Sequence, residues 1–329
     1  MQNAIIAGSA AYVPEQALPN DWFNQLLNED VDTWLRENLE IYERRWCAAD
    51  ESTADLAEMA ANKVLQTTGI PAGEIDLIIL STDTPEFISP STASIVQDRI
   101  GARKAGTFDI NSACSGFVSA LNTAANFIKA DEQYQNILVI GAYAMSKYLN
   151  HQDKKTVTLF ADGAGAFLIQ ASQAKGKGYL GGEMRSMGEY SEWMGIYEGG
   201  TRATIDPQSV GNLRQQLQFV KRFPKELNPK TWVDMIEVLS QKIDISPNQV
   251  DKYFITQLNI NSIRETMDRL TIPHSMAHTA MHYYGYTGSA CLPIAYCDAK
   301  EKGLIKEGDL IYFVGSGGGL SFASAAFRL

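Results

Sequence analysis

Short, fully apolar runs alternate along this chain with longer segments in which apolar residues recur at helical spacing. The first residues, 1–8, read as a strand. A helix is predicted over residues 53–68, followed by a polar turn (69–76) and an apolar run at 77–82, short enough for a buried strand. The same order returns later: a helix over 231–243, a polar turn at 244–251 and a strand at 252–257. A second pair of strands, 137–141 and 310–315, fits the same scheme. Each half is then predicted to end in paired strands, 157–169 and 321–329.

Strands alternating with helices predict α/β architecture, with parallel sheets covered on both faces. The pattern suggests two similar halves, 1–172 and 173–329, although any α/β chain repeats helix–turn–strand units. Residues 181–225 break the periodicity and are rich in Gly, Met and charge. They read either as a cap over a site or as a surface excursion without function.

Composition narrows the classes. The 329 residues carry a net charge of −10, which argues against a general nucleic-acid surface. Local basic clusters remain at Lys147, Lys154 and Lys155 and at Lys221, Arg222 and Lys225. No apolar run is long enough to span a membrane, and the start lacks the basic stretch of a secretory signal. The four cysteines show no metal-ligand spacing. These features predict a cytoplasmic protein with reduced thiols and no resident metal or cofactor.

The chemistry concentrates at residues 109–117. A strand-like run ends in small residues, then Cys114, then a helical run over 115–129. A thiol at a strand-to-helix turn meets the unpaired N–H groups of the helix start, which favour the thiolate. Small neighbours are expected to leave the sulfur open to a substrate carbonyl. Cys114 thus reads either as an acyl-accepting nucleophile or as an inert small core residue. The Gly317-Gly318-Gly319 triplet after a predicted strand can bring bare amides to a developing oxyanion, or be only a loop.

Four segments in order, 109–117, 159–166, 284–293 and 317–329, resemble the β-ketoacyl-ACP synthase III family of the thiolase superfamily, along nearly the full length. The resemblance implies a five-layered αβαβα fold of two similar halves and a homodimer. It implies that Cys114 accepts the acyl group, with its own amide and that of Gly318 holding the thioester oxyanion. Acyl-CoA or an acyl carrier protein, each through a phosphopantetheine arm, would be the donor. Trp34 falls where family members stack an aromatic on the adenine of coenzyme A, and Lys154 takes the place of an arginine serving that nucleotide. Asn38 replaces another family arginine. Asn212 resembles part of the pantetheine tunnel. Residues 83–90 resemble the loop that reaches a partner's acyl pocket, with Ser89 at an often bulky position.

The same resemblance locates two departures. Thr256 stands at the position of the family's histidine, in a register fixed by Asp251 and Asn259, and Asn259 is carried over as a binding residue. Tyr286 stands at the family's asparagine. Those two groups stabilise the enolate of decarboxylative condensation, and losing one strong oxyanion donor costs on the order of 2.7–4 kcal/mol. Thr256 and Tyr286 can each donate a hydroxyl proton, but neither is a good base near neutral pH. His282, four residues before Tyr286, is a candidate base. His274, His278 and His282 have a spacing that invites a metal, with structural histidines as the other reading.

Three functions follow. The favoured one is a cysteine acyltransferase in fatty-acid-like, polyketide or specialised lipid metabolism, passing its acyl group to an acceptor other than a standard malonyl thioester. The second is a decarboxylative condensing enzyme using Thr256 and Tyr286. The third is an accessory subunit pairing with a complete synthase.

Overall fold

The computed structural model describes residues 2–205 and 213–329. Two sheets form its frame. The first takes β1 (Asn3–Tyr12), β2 (Leu77–Ser81), β3 (Gly106–Ile110), β4 (Asn136–Ala144) and β5 (Asp162–Ser172), in the order β1-β5-β4-β2-β3. The second takes β6 (Gly178–Ser186), β7 (Lys252–Ile255), β8 (Leu310–Gly317) and β9 (Ser321–Arg328), in the order β7-β8-β9-β6.

The sheets are mixed rather than parallel. In the first, β2 runs parallel to both β3 and β4, whereas β5 is antiparallel to β4 and β1. In the second, β7 and β8 are parallel, and β9 and β6 join antiparallel. Residues 157–161, expected to begin a paired strand, instead complete a short helix (Lys154–Val157) and its exit before β5 begins at Asp162.

Helices complete five layers. Helix α1 (Thr53–Thr68) starts at Ser52, whose hydroxyl accepts from the Asp55 N–H while the Asp55 carboxylate accepts from the Ser52 N–H. Its Ala-, Leu- and Val-rich face packs on the outside of the first sheet. Helix α2 (Gly116–Ala130) and helix α5 (Cys291–Glu301) lie between the sheets, where Phe117, Leu121, Leu292 and Phe313 share one core. Helices α3 (Leu227–Lys242) and α4 (Ile260–Arg269) cover the outside of the second sheet through Trp232, Met235, Ile263 and Met267.

Gly181 and Gly182 belong to β6, paired with Ala326 and Ala325. The irregular excursion therefore starts after Ser186 and not at residue 181. It contains a two-residue pairing of Met194–Gly195 with Gln218–Phe219.

Candidate active site

The C-terminal ends of the parallel strands β2, β3 and β4 lie side by side, with Ser81 opposite both Ile110 and Gly141. Ligand sites in α/β sheets favour this edge. The chain leaving β3 turns sharply there. Ala113 sits at φ +45°, a left-handed conformation uncommon outside glycine, and sets up the elbow that delivers Cys114 to the start of α2. The Ser115 N–H donates to the Ser112 carbonyl and the Gly116 N–H to that of Ala113. A Cβ on Gly116 would fall 2.1 Å from Ser81 Oγ, so only glycine lets the helix start this close to β2.

The second half meets this elbow directly. A Cβ on Gly317 would lie 2.6 Å from the Cys114 amide nitrogen, so the glycine-rich end of β8 passes against the nucleophile turn without side chains between them. Ser321 Oγ donates to the Ser112 carbonyl at 2.7 Å and meets Ser115 Oγ at 2.8 Å. Gly318 lies on this same loop, under the side chain of Met194 from the excursion.

Residues 286–291 form another wall. The Tyr286 N–H donates to the Leu159 carbonyl, and the Ala161 N–H donates to the Tyr286 carbonyl, each at 2.9 Å. Ser289 Oγ donates to the Ala142 carbonyl at the end of β4. So anchored, the buried Tyr286 stands beside Cys114, and its hydroxyl favours the thiolate. Tyr143, at the end of β4, is also fully enclosed; a Cβ on Gly288 would come within 2.4 Å of its ring. Asp83, just beyond β2, and Cys291 act electrostatically on Cys114.

Contrary to the expectation of an open sulfur, Cys114 is only 2% exposed. Nor does the helix start make it acidic on balance. Burial, then the nearby Asp83 carboxylate, push its pKa well above the ordinary thiol value, against the lowering effects of the Tyr286 hydroxyl and its own N–H. Burial likewise raises Tyr286 and Tyr143, so both phenols stay protonated. It lifts Cys291 to about 12 and Asp83 to about 6.

The other sequence-predicted residues are dispersed. Thr256 is buried, but its hydroxyl accepts from the Ser316 N–H at 2.8 Å and leans on the Ser316 carbonyl at 3.4 Å. It ties β7 to β8. Asn259 caps α4, its Oδ1 accepting from the Asn261 N–H. His282 is not placed as a base for Cys114: Nδ1 meets the Glu40 carbonyl at 2.6 Å, Nε2 meets Thr279 Oγ1 at 2.9 Å, and the ring stacks on Tyr42. His278 pairs with Asp298 and His274 with Asp268, each at 2.7 Å. Among the described residues no cluster of three or more His, Cys, Asp or Glu side chains could hold a metal.

Trp34 is 54% exposed on a short helix (Asp32–Leu39). Lys154 reaches Glu29, just before that helix, at 2.6 Å, an exposed pairing weak enough to exchange for an anionic ligand. The two thus border one surface. Asn38 carries no charge to it: its amide bonds the Trp34 carbonyl. Ser89 lies on an exposed loop beside Phe87 and Ile88, which are 56% and 84% exposed. Asn212 lies outside the described residues.

Asp83 and Tyr143 were not picked out from the sequence as groups beside the thiol. The available signal was positional, since each follows a buried strand run whose C-terminal end abuts that of β3 or its neighbour. No helix among the described residues is long and apolar enough to cross a membrane.

Comparison with known proteins bears on the family and the fold. The family described as 3-oxoacyl-[acyl-carrier-protein (ACP)] synthase III matches residues 108–188, and its C-terminal counterpart matches residues 240–329. A beta-ketoacyl-[acyl-carrier-protein] synthase III of Clostridium novyi is 36% identical, with 98% of each chain covered. One from Fusobacterium nucleatum is 34% identical, covering 100% of this chain and 99% of its own. The crystal structure of 3-oxoacyl-[acyl-carrier-protein] synthase III from Aquifex aeolicus superposes with a TM-score of 0.88 at 30% identity, covering 100% of both chains.

Proposed function

The chain belongs to the 3-oxoacyl-[acyl-carrier-protein] synthase III family, with the thiolase fold, and from that premise we propose that it is a Cys114 acyltransferase whose acceptor is not a decarboxylating malonyl thioester. Cys114 attacks the thioester carbonyl of an acyl-CoA or acyl carrier protein. The carbonyl oxygen collects charge beside the amides of Cys114 and Gly318, and the pantetheine thiol leaves. The acceptor then displaces Cys114 from the acyl group.

The observation that carries this reading is the commitment of both hydroxyls at the positions matching the family's histidine and asparagine. Tyr286 acts on the nucleophile, its hydroxyl favouring the thiolate, and Thr256 is held by the Ser316 backbone. Neither is left to face an enolate oxygen across an open pocket. What remains is a sulfur with a neutral donor on it, suited to acyl transfer and poorly suited to decarboxylation.

The neighbouring exposed Phe87 and Ile88 support a homodimer built on that loop. Incubation with an acyl donor and malonyl-ACP tests the reading. Acyl-enzyme without carbon dioxide release is expected. Carbon dioxide release lost in Tyr286→Phe would instead establish decarboxylative condensation.

A further inference from the structure

Among the described residues, Arg44 is the only arginine or lysine that is completely buried. It lies on a three-residue strand (Glu43–Arg45) that pairs with Ala17–Pro19. Its guanidinium meets neutral groups. Nη1 donates to Asn20 Oδ1 at 2.6 Å, Nη2 donates to the Thr158 carbonyl, and Cζ lies 4.2 Å from the centroid of the Phe23 ring. Nε is sealed from solvent and has no hydrogen-bond partner. Asp32 acts at second hand: Asn20 Nδ2 donates to its Oδ1 at 2.7 Å, and that same oxygen accepts from Arg36 Nε at 2.6 Å. Burial lowers the Arg44 pKa to about 9, so the side chain is still charged at neutral pH. A buried cation held by neutral partners is costly and asks for a functional account.

What Arg44 touches on its inner side is the support of Tyr286. The Thr158 carbonyl opens the stretch whose next residues clamp that tyrosine: the Leu159 carbonyl accepts from the Tyr286 N–H, and the Ala161 N–H donates to the Tyr286 carbonyl, each at 2.9 Å. Phe160, between them, packs its ring 5.3 Å from that of Tyr286. On the other side of the clamp stands Gly285, at φ +65°, where an added Cβ would lie 2.7 Å from Arg44 Cβ and 2.9 Å from Ala161 Cβ. One side chain therefore bears on both segments that meet at Tyr286, its head on Thr158 and its stem on Gly285. The planar fork of arginine spans the Asn20 and Thr158 acceptors at once; a lysine offers a single point of charge there, and an apolar side chain offers no donor.

Resting on the reading of Cys114 as the acyl-accepting nucleophile with Tyr286 beside it, we propose that Arg44 is the positioning residue for Tyr286. Its hold on the Thr158 carbonyl and its contact with Gly285 fix the Leu159 and Ala161 peptide groups, and these keep Tyr286 beside Cys114. Arg44 does not touch the reacting atoms and acts through Tyr286 alone. The cost of burying its charge is then the cost of holding one phenol in register from a different part of the chain, 242 residues away from it by sequence.

Alkylation of Cys114 by iodoacetamide tests this without any acyl donor, so that its failure is separable from failure of the acyl-transfer reading. Site-resolved peptide mass spectrometry separates Cys114 from Cys47, Cys291 and Cys297. At neutral pH, Tyr286→Phe and Arg44→Met are each expected to slow alkylation about tenfold and to move its rate profile to higher pH. The double variant is expected to stay within about twofold of Tyr286→Phe alone, as for two groups acting through one contact. Asp83 and Cys291, which also act on the thiol, are unchanged in all three. A merely structural role moves the rate the other way, since loosened packing exposes a buried thiol. Unchanged or faster alkylation in Arg44→Met therefore overturns the proposal, as does no slowing in Tyr286→Phe or a full second slowing in the double variant. If Arg44→Met does not fold, Arg44→Lys decides: slowing by at least about threefold is expected, and a wild-type rate overturns the proposal. If neither variant folds, Arg44 is a core residue alone and the proposal is likewise overturned. Alkylation behaving as expected in a chain that takes no acyl group would keep the Arg44 role and reject acyl transfer.

Discussion

The Tyr286 hydroxyl acts on the sulfur of Cys114 and favours its thiolate, although the two residues lie in different halves of the fold. That influence is what Tyr286 offers the nucleophile. It lowers a thiol pKa that burial and Asp83 together hold high. Tyr286→Phe is therefore expected to push the Cys114 pKa further up and to slow acylation by roughly 10- to 100-fold, the worth of a hydrogen bond to a charged group. Stopped-time intact-mass measurements of acyl-enzyme give the rate.

Gly288 is the platform for the other phenol. Its φ of +49° is left-handed, and an added Cβ would lie 2.4 Å from Cε2 and Cζ of Tyr143. Gly288→Ala is expected to destabilise the fold by about 3 kcal/mol through overpacking and backbone strain. Denaturant unfolding checks it. Gly288→Ala combined with Tyr143→Ala removes the clash and is expected to recover part of that loss.

Thr256 holds the strands rather than the substrate. Thr256→Val removes the acceptor for the buried Ser316 N–H, which costs about 1–3 kcal/mol. Chemical denaturation should register that loss, while acylation of the folded variant stays within about threefold of wild type. A collapse of the acylation rate at full stability would return Thr256 to the chemistry.

Asp83 carries a stability signature of its own. Burial raises its pKa from 3.8 to about 6, so the folded state prefers the neutral acid. Wild-type stability from this group is fully present below about pH 4 and is lost as pH rises through 6. Asp83→Asn is neutral throughout. It is expected to be about 3 kcal/mol more stable than wild type at pH 8, with the gap closing below pH 4. Thermal melts across that range measure it, and a gap independent of pH would contradict the burial argument.

The turn at Cys114 was legible from sequence because strand, small residues, thiol and helix are contiguous there. The helix over 53–68 was equally plain, since its Ser52 and Asp55 cap and Gly69 terminus lie within the segment itself. Legibility ended where non-local pairing decides. The mixed sheets arise because β5 returns antiparallel between β1 and β4, which a run of buried residues does not encode. Asp83 and Tyr143 come to the same sheet edge as the Cys114 elbow because β2 lies between β3 and β4, an order invisible along the chain. His282 looked free by spacing, but the Glu40 carbonyl that occupies it is 242 residues away. The closed state of Cys114 came from the same cause, since it shares one buried cluster with Tyr143, Tyr286 and Cys291 and the glycine end of β8 passes against its amide.

Intact-mass spectrometry after mixing the full chain with panels of acyl-CoA and acyl-ACP is the most direct measurement. A mass gain equal to one acyl group, mapped to Cys114 and missing from Cys114→Ala, is the predicted result. No gain with either donor class, or the same gain in Cys114→Ala, would contradict a cysteine acyltransferase.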